Sequence, residues 1–296
     1  MTEINKRLKT PLRWVGGKSR ALKKLEVFNP KNMDNIIEIR DAFLGGGSYP
    51  LYLSQKYPDK DIWVNDIYEP LFNWWIQLRD NHEEMVEKLL IKKKDNDNPE
   101  KSKLLFQSSK NIINNPAYSS IDKAVAFYIV NKCSFSGLTE NSSFSKGASV
   151  SNFKESIIES LPFYSKLIQN WKITNLDYRE LMKGDGHVFL YLDPPYDIKS
   201  NIYGKKGKIH KIFNHEDFKE ECNRCKCRLL ISYNLEINGL CNSSFDLTYT
   251  MKSNKEYIED QKKKKEMAIT NYYDYYDTDE EEESGYFRGE MDQVSI

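Results

Sequence analysis

The sequence predicts an α/β protein in which helices flank a sheet and a mostly helical insert interrupts the sheet. An apolar run at 187–192 ends at Asp193 and Pro194, and a proline cannot continue a central strand, so this buried strand stops at a carboxylate. A second strand, at 35–39, leads into a glycine-rich loop and then a helix. Between 69 and 171 the strand pattern gives way to apolar residues at helical spacing.

Composition limits the class of protein. With 39% hydrophobic and 13% aromatic residues, the 296-residue chain can bury a core and is not a disordered polypeptide. No apolar run approaches the roughly 20 residues of a membrane span, and residues 1–7 lack the apolar segment of a secretory signal. We therefore expect an intracellular protein without a membrane partner, whose five cysteines are reduced.

Charge is distributed unevenly along the chain. Bases and acids each number 44, yet residues 274–296 hold nine acids and one base. The remainder therefore carries 43 bases and 35 acids, a net charge of +8. A basic body suits a polyanionic partner such as nucleic acid, and the acidic end is predicted to be disordered.

The first motif, at 11–20, contains Trp14 and Lys18 around two glycines. The string Gly-Lys-Ser at 17–19 resembles a phosphate-binding loop, but that loop needs a glycine five positions before Gly17, where Leu12 stands. A nucleoside triphosphatase is therefore excluded. The glycines would let a ligand approach the backbone beside an indole and a cation, and an ordinary turn is the alternative.

The glycine loop spans residues 41–48, with Phe43, Gly45 and Gly47, and a helix is predicted at 49–55. A strand at 61–65 follows and ends at Asp66, 19 positions past Gly47. An acid about 20 residues beyond such a loop is placed to accept hydrogen bonds from ribose hydroxyls. The pair predicts a nucleoside cofactor without identifying it.

Helical spacing of apolar residues predicts helices near 71–78, 85–90 and 121–130. A polar segment with glycine and aromatic residues follows at 131–152. It is predicted either to read nucleic acid or to have only structural value. The candidate contact residues are Asn131, Lys132, Phe135, Asn141 and Lys146.

Further strands are predicted at 172–175, 229–233 and 267–270, with a helix at 215–224. The lysine-rich and glycine-rich stretch 197–214 is consistent with a mobile loop over a site. No metal is expected, because the cysteine cluster lacks the second ligand pair of a structural zinc site. Its members are Cys222, Cys225 and Cys227.

Taken together and in this order, three motifs resemble the Dam-like (D12 class) DNA adenine N6-methyltransferases. The resemblance implies a Rossmann-like, S-adenosylmethionine-dependent methyltransferase sheet. It also implies site-specific methyl transfer from S-adenosylmethionine to a flipped-out adenine in double-stranded DNA, with a restriction endonuclease as a candidate partner. The motifs are Leu12 to Lys18, the loop 41–48 and Asp193-Pro194-Pro195-Tyr196. Weaker matches at 65–66, 135–138, 231–234 and 266–272 extend the resemblance over 11–273.

The resemblance also implies roles for individual residues. Asp193 and the Pro194 carbonyl would accept hydrogen bonds from the adenine amine and localise its lone pair towards the methyl group. Pro195 would stiffen the turn, and Tyr196 would stack on the base. The implied domains are a catalytic domain of 1–68 and 172–273, a target-recognition insert of 69–171 and a tail of 274–296. The implied cofactor-binding residues are Trp14, Lys18, Phe43, Gly45, Gly47, Asp66 and Asp193.

Departures from the family pattern leave some alternatives open. Asp41-Ala42-Phe43 stands where the family usually has Glu-Pro-Phe, and 139–144 lacks the family's arginine, so no target sequence is assigned. Methylation of cytosine N4 or of RNA remains an alternative, as does an inactive module that binds DNA or docks a partner. A glutamine side chain is a poorer candidate, because its methylation favours Asn at position 193.

Overall fold

A computed structural model describes residues 9–137, 139, 142–197, 212–252 and 257–273. Asn141, most of the lysine-rich stretch and the acidic tail fall outside the described residues. The sheet has seven strands: β1 (Glu38–Asp41), β2 (Asp61–Asn65), β3 (Trp171–Thr174), β4 (Val188–Leu192), β5 (Arg228–Tyr233), β6 (Cys241–Lys252) and β7 (Tyr257–Thr270).

The strands form one sheet in the order β3-β2-β1-β4-β5-β7-β6. Strands β1 to β5 are parallel, and β7 runs antiparallel to β5 and β6. In β4, Phe189 and Tyr191 join one apolar cluster, whereas Leu190 and Leu192 join the cluster on the other face. A parallel sheet covered on both faces requires such a continuous apolar strand. The predicted α/β, Rossmann-like fold is confirmed.

Most of the helices lie between β2 and β3. None in the described ranges is long and apolar enough to cross a membrane. The helices are α1 (Leu22–Glu26), α2 (Ser48–Lys56), α3 (Glu69–Asp80), α4 (His82–Asp95), α5 (Pro99–Ile112), α6 (Ser120–Cys133), α7 (Lys146–Asn152), α8 (Glu155–Ile158), α9 (Leu161–Leu167) and α10 (His215–Arg224).

Helix α3 joins the insert to the sheet. Trp74 stacks on Tyr128 of α6 with ring centroids 6.0 Å apart, and Trp75 lies 5.8 Å from Trp171 of β3. Both indoles of α3 are fully buried, and a single apolar cluster contains insert residues and one face of the sheet. The insert therefore shares a core with the sheet, and the domain boundaries at 69 and 171 stay a prediction.

Strands β6 and β7 differ most from the prediction. The predicted strand at 267–270 is only the part of β7 that pairs with β5. The rest of β7 pairs with β6 alone and carries four consecutive lysines at 262–265. Residues 259–266 of β7 are all polar or charged, so no apolar alternation marks this part of the strand. In β6, apolar residues do alternate with polar ones at 245–251, and sequence reasoning missed that strand pattern.

Candidate active site

The predicted site residues gather at the carboxyl ends of the central strands. Strand β1 pairs in parallel with both β2 and β4, so the ends of these strands lie side by side. Asp41 ends β1, Asp66 follows β2 and Asp193 follows β4. Strand order reverses between β1 and β4, the position at which open α/β sheets bind ligands. A cavity of about 280 Å³ opens there, and all three carboxylates line it.

The glycine loop is tightly packed between two indoles. Gly45 and Gly47 have φ angles of +49° and +69°, in the left-handed region that favours glycine. A Cβ on Gly45 would lie 2.6 Å from Trp14 Nε1, and one on Gly47 would lie 2.7 Å from Trp75 Cζ2. Trp75 Nε1 also donates to the Gly45 carbonyl at 3.2 Å. Trp14 is a predicted site residue, but no motif marks Trp75, which supports the loop from the insert.

Asp66 holds the glycine loop through hydrogen bonds to backbone. The Gly45 N–H donates to Asp66 Oδ2 and the Tyr68 N–H to Oδ1, each at 2.9 Å. Burial raises the pKa of Asp66 to about 6, although both hydrogen bonds to the carboxylate oppose that rise. Each carboxylate oxygen keeps a lone pair that can accept from a ligand hydroxyl.

Asp193 is engaged by a buried lysine. Lys18 Nζ donates to Asp193 Oδ1 at 2.6 Å and Oδ2 at 2.8 Å, and to the Gly16 carbonyl at 3.0 Å. The Lys18 side chain is 6% exposed and that of Asp193 is 21% exposed. The carboxylate thus accepts two hydrogen bonds from a cationic nitrogen at the end of β4.

Asp41 lies deeper than the other two acids and is buried. Burial raises its pKa well above the ordinary value, the Phe43 N–H at 3.0 Å from Oδ1 lowers it, and the charges of Asp193 and Asp66 raise it again. Carboxylates crowded in this way favour a ligand that carries positive charge.

Tyr196 completes the motif beside the cavity. Pro194 and Pro195 are buried, and the Tyr196 hydroxyl donates to Glu266 Oε2 of β7 at 2.6 Å. Lys18 Nζ lies 4.9 Å from the centroid of the Tyr196 ring. Glu266 falls only in a weak sequence match and has no predicted role, because its partner Tyr196 is 70 positions away in the chain.

Phe43 belongs to an aromatic group that lines the other side of the cavity. Its ring centroid lies 5.3 Å from that of Tyr178 and 5.9 Å from that of Phe213. Sequence reasoning missed both partners. The one signal for Tyr178 is its place just after β3, at the same edge of the sheet as Asp41 and Asp66.

The candidate residues of the insert differ in burial. Asn131 is fully buried and bonded to Arg13, donating to its carbonyl at 2.7 Å and accepting from its N–H at 3.0 Å. Lys132 is 5% exposed, and burial lowers its pKa to about 8. This burial argues against the predicted DNA contacts of Asn131 and Lys132. Phe135 is 67% exposed, and Lys146 is also exposed.

The cysteine cluster shows a packing role in the structure. Cys222 is buried in the core, and the thiols of Cys225 and Cys227 donate to the Met182 carbonyl. Among the described residues, no group of three or more His, Cys, Asp or Glu could hold a metal ion. The predicted site residues that line the cavity at the ends of β1, β2 and β4 are Trp14, Lys18, Phe43, Gly45, Gly47, Asp66, Asp193 and Pro195.

Known methyltransferases are similar to this chain. Type II methyltransferase M.MjaIII from Methanocaldococcus jannaschii is 25% identical over 88% of this chain and 98% of its own length. Type II methyltransferase M1.LlaDCHI from Lactococcus lactis subsp. cremoris is 27% identical over 69% of this chain and 72% of its own. Among solved structures, rRNA methyltransferase aviRa from Streptomyces viridochromogenes is 8% identical, with a TM-score of 0.31 over 84% of this chain and 81% of that chain.

A family model gives the assignment. The model of the D12 class N6 adenine-specific DNA methyltransferases matches residues 14–267, from the tryptophan of the first motif to β7. Methyltransferases of this family act on DNA and use S-adenosylmethionine in general. The chain belongs to the D12 class N6 adenine-specific DNA methyltransferases.

Proposed function

We propose that Asp193 holds the exocyclic amine of a flipped-out adenine while a methyl group is transferred to it from S-adenosylmethionine. The observation that carries this proposal is the contact of Asp193 with Lys18: a carboxylate at the end of β4 already binds a nitrogen that donates to both its oxygens. The adenine amine, with two N–H groups, has the same requirement for acceptors.

The cavity suits S-adenosylmethionine, which supplies an electrophilic methyl group on a positively charged sulfur. Five aspartates and two basic residues line the cavity, and this excess of acids favours a cationic ligand. We propose that the adenosine ring of the cofactor packs against Phe43, Tyr178 and Phe213, and that Asp66 accepts from the ribose hydroxyls. Trp14 and the glycine loop would enclose the remainder.

The reaction needs an acceptor because the amine is a poor nucleophile, its lone pair being delocalised into the purine. Hydrogen bonds to Asp193 and to the Pro194 carbonyl would localise that lone pair towards the methyl group. Prolines at 194 and 195 offer no N–H there, so the turn presents acceptors only. Lys18 uses one lone pair of each Asp193 oxygen, so the amine would either bind to a remaining lone pair or displace Lys18 from one oxygen.

The target adenine must leave the DNA stack to reach Asp193, since an amine paired in a duplex is inaccessible. Tyr196 would then stack on the base. We propose that residues 131–152 read the DNA, because Gly137 and Thr139 of this segment line the cavity. Exposed Phe135 and Lys146 would contact DNA, whereas Asn131 and Lys132 would hold the segment in place.

The relatives also suggest a biological setting. Two of them are named Type II methyltransferases, a class of restriction–modification enzyme. We therefore propose that a restriction endonuclease of the same specificity is a partner of this chain in its system. Such a partner would cleave the same sequence only where this chain had not methylated it.

Nucleoside analysis of DNA from cells that express the chain tests the proposed function. We expect N6-methyladenine at one sequence, found by long-read sequencing, and none in cells without the chain. N4-methylcytosine instead would exclude adenine as the substrate. Tight binding of duplex DNA without any methyl transfer would favour the inactive module.

A further inference from the structure

We propose that Glu266 is a positioning residue that fixes the ring of Tyr196 for stacking on the target base, an inference that rests on the proposed function. Glu266 lies in β7, on the antiparallel side of the sheet, and belongs to none of the three motifs that define the site. It would act through Tyr196 without touching the base itself.

The Tyr196 ring is held at two ends. Its backbone follows the buried Pro194-Pro195 turn, which has little conformational freedom. Its hydroxyl donates to Glu266 Oε2 at 2.6 Å. The ring also meets the Tyr233 ring edge-on, with centroids 6.2 Å apart and planes at 82°. An aromatic ring that is fixed before the base arrives loses less conformational entropy on stacking, and it places the amine more accurately.

The register of β7 against β5 places Glu266 within hydrogen-bond distance of Tyr196. Met267 pairs with Tyr233, the last residue of β5, so Glu266 lies just beyond the carboxyl end of β5. This is the same edge of the sheet at which Asp193 follows β4. The residue is only 4% exposed, and a carboxyl group buried to this extent needs hydrogen-bond donors.

Tyr196 is suited to remain the donor in this contact. Burial raises its pKa, and the charges of Asp193 and Glu266 and the hydrogen bond to Glu266 raise it further, so the hydroxyl stays protonated at neutral pH. The side-chain oxygen of Glu266 then always accepts. A methionine at position 266 would keep the volume and remove the acceptor, and a glutamine would keep an acceptor oxygen.

Four variants test the inference: Tyr196→Phe, Glu266→Met, Glu266→Gln and the double variant Tyr196→Phe/Glu266→Met. Rates are measured on a duplex with adenine at the target position. A second duplex, with 2-aminopurine in place of that adenine, reports base stacking by its fluorescence. We expect each of the first two to lower kcat by roughly 10- to 100-fold, because small displacements of a reacting group are costly. Glu266→Gln should retain most of kcat. The double variant should be no slower than either single variant, since all three lose the same hydrogen bond.

A matched control is Tyr272→Phe, which removes another buried tyrosine hydroxyl, one that donates to the Phe28 carbonyl at 2.8 Å. It should lower Tm without changing kcat or the fluorescence signal. The inference would be overturned if the loss of kcat in the double variant equalled the product of the two single-variant losses. It would also be overturned if kcat fell only in proportion to Tm across all the variants. If the wild-type chain methylates adenine but Glu266→Met is as fast, only the role of Glu266 is wrong. No adenine methylation by the wild-type chain would instead overturn the proposed function.

Discussion

At the scale of single residues, three of the carboxyl groups that line the cavity lie at the ends of neighbouring strands but have different surroundings. Asp193 contacts the Lys18 ammonium, Asp66 accepts two backbone N–H groups, and Asp41 is buried beneath them. Exposure and hydrogen bonding therefore suit these acids to different roles. Asp193 could accept from a substrate amine beside or in place of Lys18, whereas Asp66 is fixed by hydrogen bonds to backbone N–H groups. Because all three residues are aspartates, these differences in exposure and hydrogen bonding cannot be predicted from the residue type.

We expect Gly45→Ala to weaken S-adenosylmethionine binding by about tenfold or more. An alanine at φ +49° is strained by about 1–2 kcal/mol, and its Cβ would meet Trp14 Nε1 at 2.6 Å, so the loop must shift. Calorimetric titration measures the change. Gly186→Ala is the control, because nothing lies within 4 Å of its Cβ, and it should bind normally. Equal affinities for the two variants would show that the loop does not contact the cofactor.

Cofactor binding should depend on pH through Asp66. Its pKa is raised from about 3.8 to about 6, so the carboxylate that would accept from ribose is lost as pH falls through 6. We expect the affinity for S-adenosylmethionine to fall as the pH is lowered from 7.5 to 5.5, and Asp66→Asn to remove most of this dependence.

The raised pKa of Asp66 also affects stability, because the folded chain binds the proton of this carboxyl group more tightly than the unfolded chain does. The contribution of Asp66 to the free energy of unfolding is therefore favourable at acidic pH and declines as pH rises from about 4 to about 6. A pH-independent affinity in the wild type would contradict the role of Asp66.

At the scale of elements, the insert helix α3 supports the cofactor loop. Trp75 packs against Gly47 and donates to the Gly45 carbonyl, whereas the adjacent Trp74 packs on Tyr128 inside the insert. Because the two indoles are equally buried, a comparison of substitutions at the two positions distinguishes support of the loop from general packing.

We expect Trp75→Phe and Trp74→Phe each to lower the free energy of unfolding by about 1–3 kcal/mol. Only Trp75→Phe should also raise KM for S-adenosylmethionine, by several-fold, because it removes the contact below the loop. Thermal unfolding and initial rates measure the two effects. Similar KM values in both variants would mean that α3 contributes packing alone.

Local pattern explains which elements the sequence could predict. Strand β4 and its end at Asp193 follow from an apolar run and a proline that are adjacent in the chain. Glu266 and Phe213 could not be found in this way, because each meets its partner only after distant segments pair. The charged part of β7, residues 259–266, was missed because it has no apolar period, whereas the alternating pattern of β6 at 245–251 was available and overlooked.

At the scale of the whole molecule, the segment proposed to read DNA meets the proposed catalytic residues at one edge of the sheet. The segment 131–152 comes from the insert, yet Gly137 lines the cavity and approaches Arg13, next to Trp14. Replacing 131–152 with the segment of a relative of different specificity should therefore change the methylated sequence and keep adenine as the base. Long-read sequencing reads both outcomes, and an unchanged target sequence would show that the segment does not select DNA.

The most direct measurement of the central claim is single-turnover methyl transfer, with labelled S-adenosylmethionine and target duplex both saturating, for the wild type and Asp193→Ala. We predict label in N6-methyladenine for the wild type and a rate at least about 100-fold lower for the variant, with Tm close to that of the wild type. A variant that transfers methyl at the wild-type rate, or label in a base other than adenine, would contradict the account.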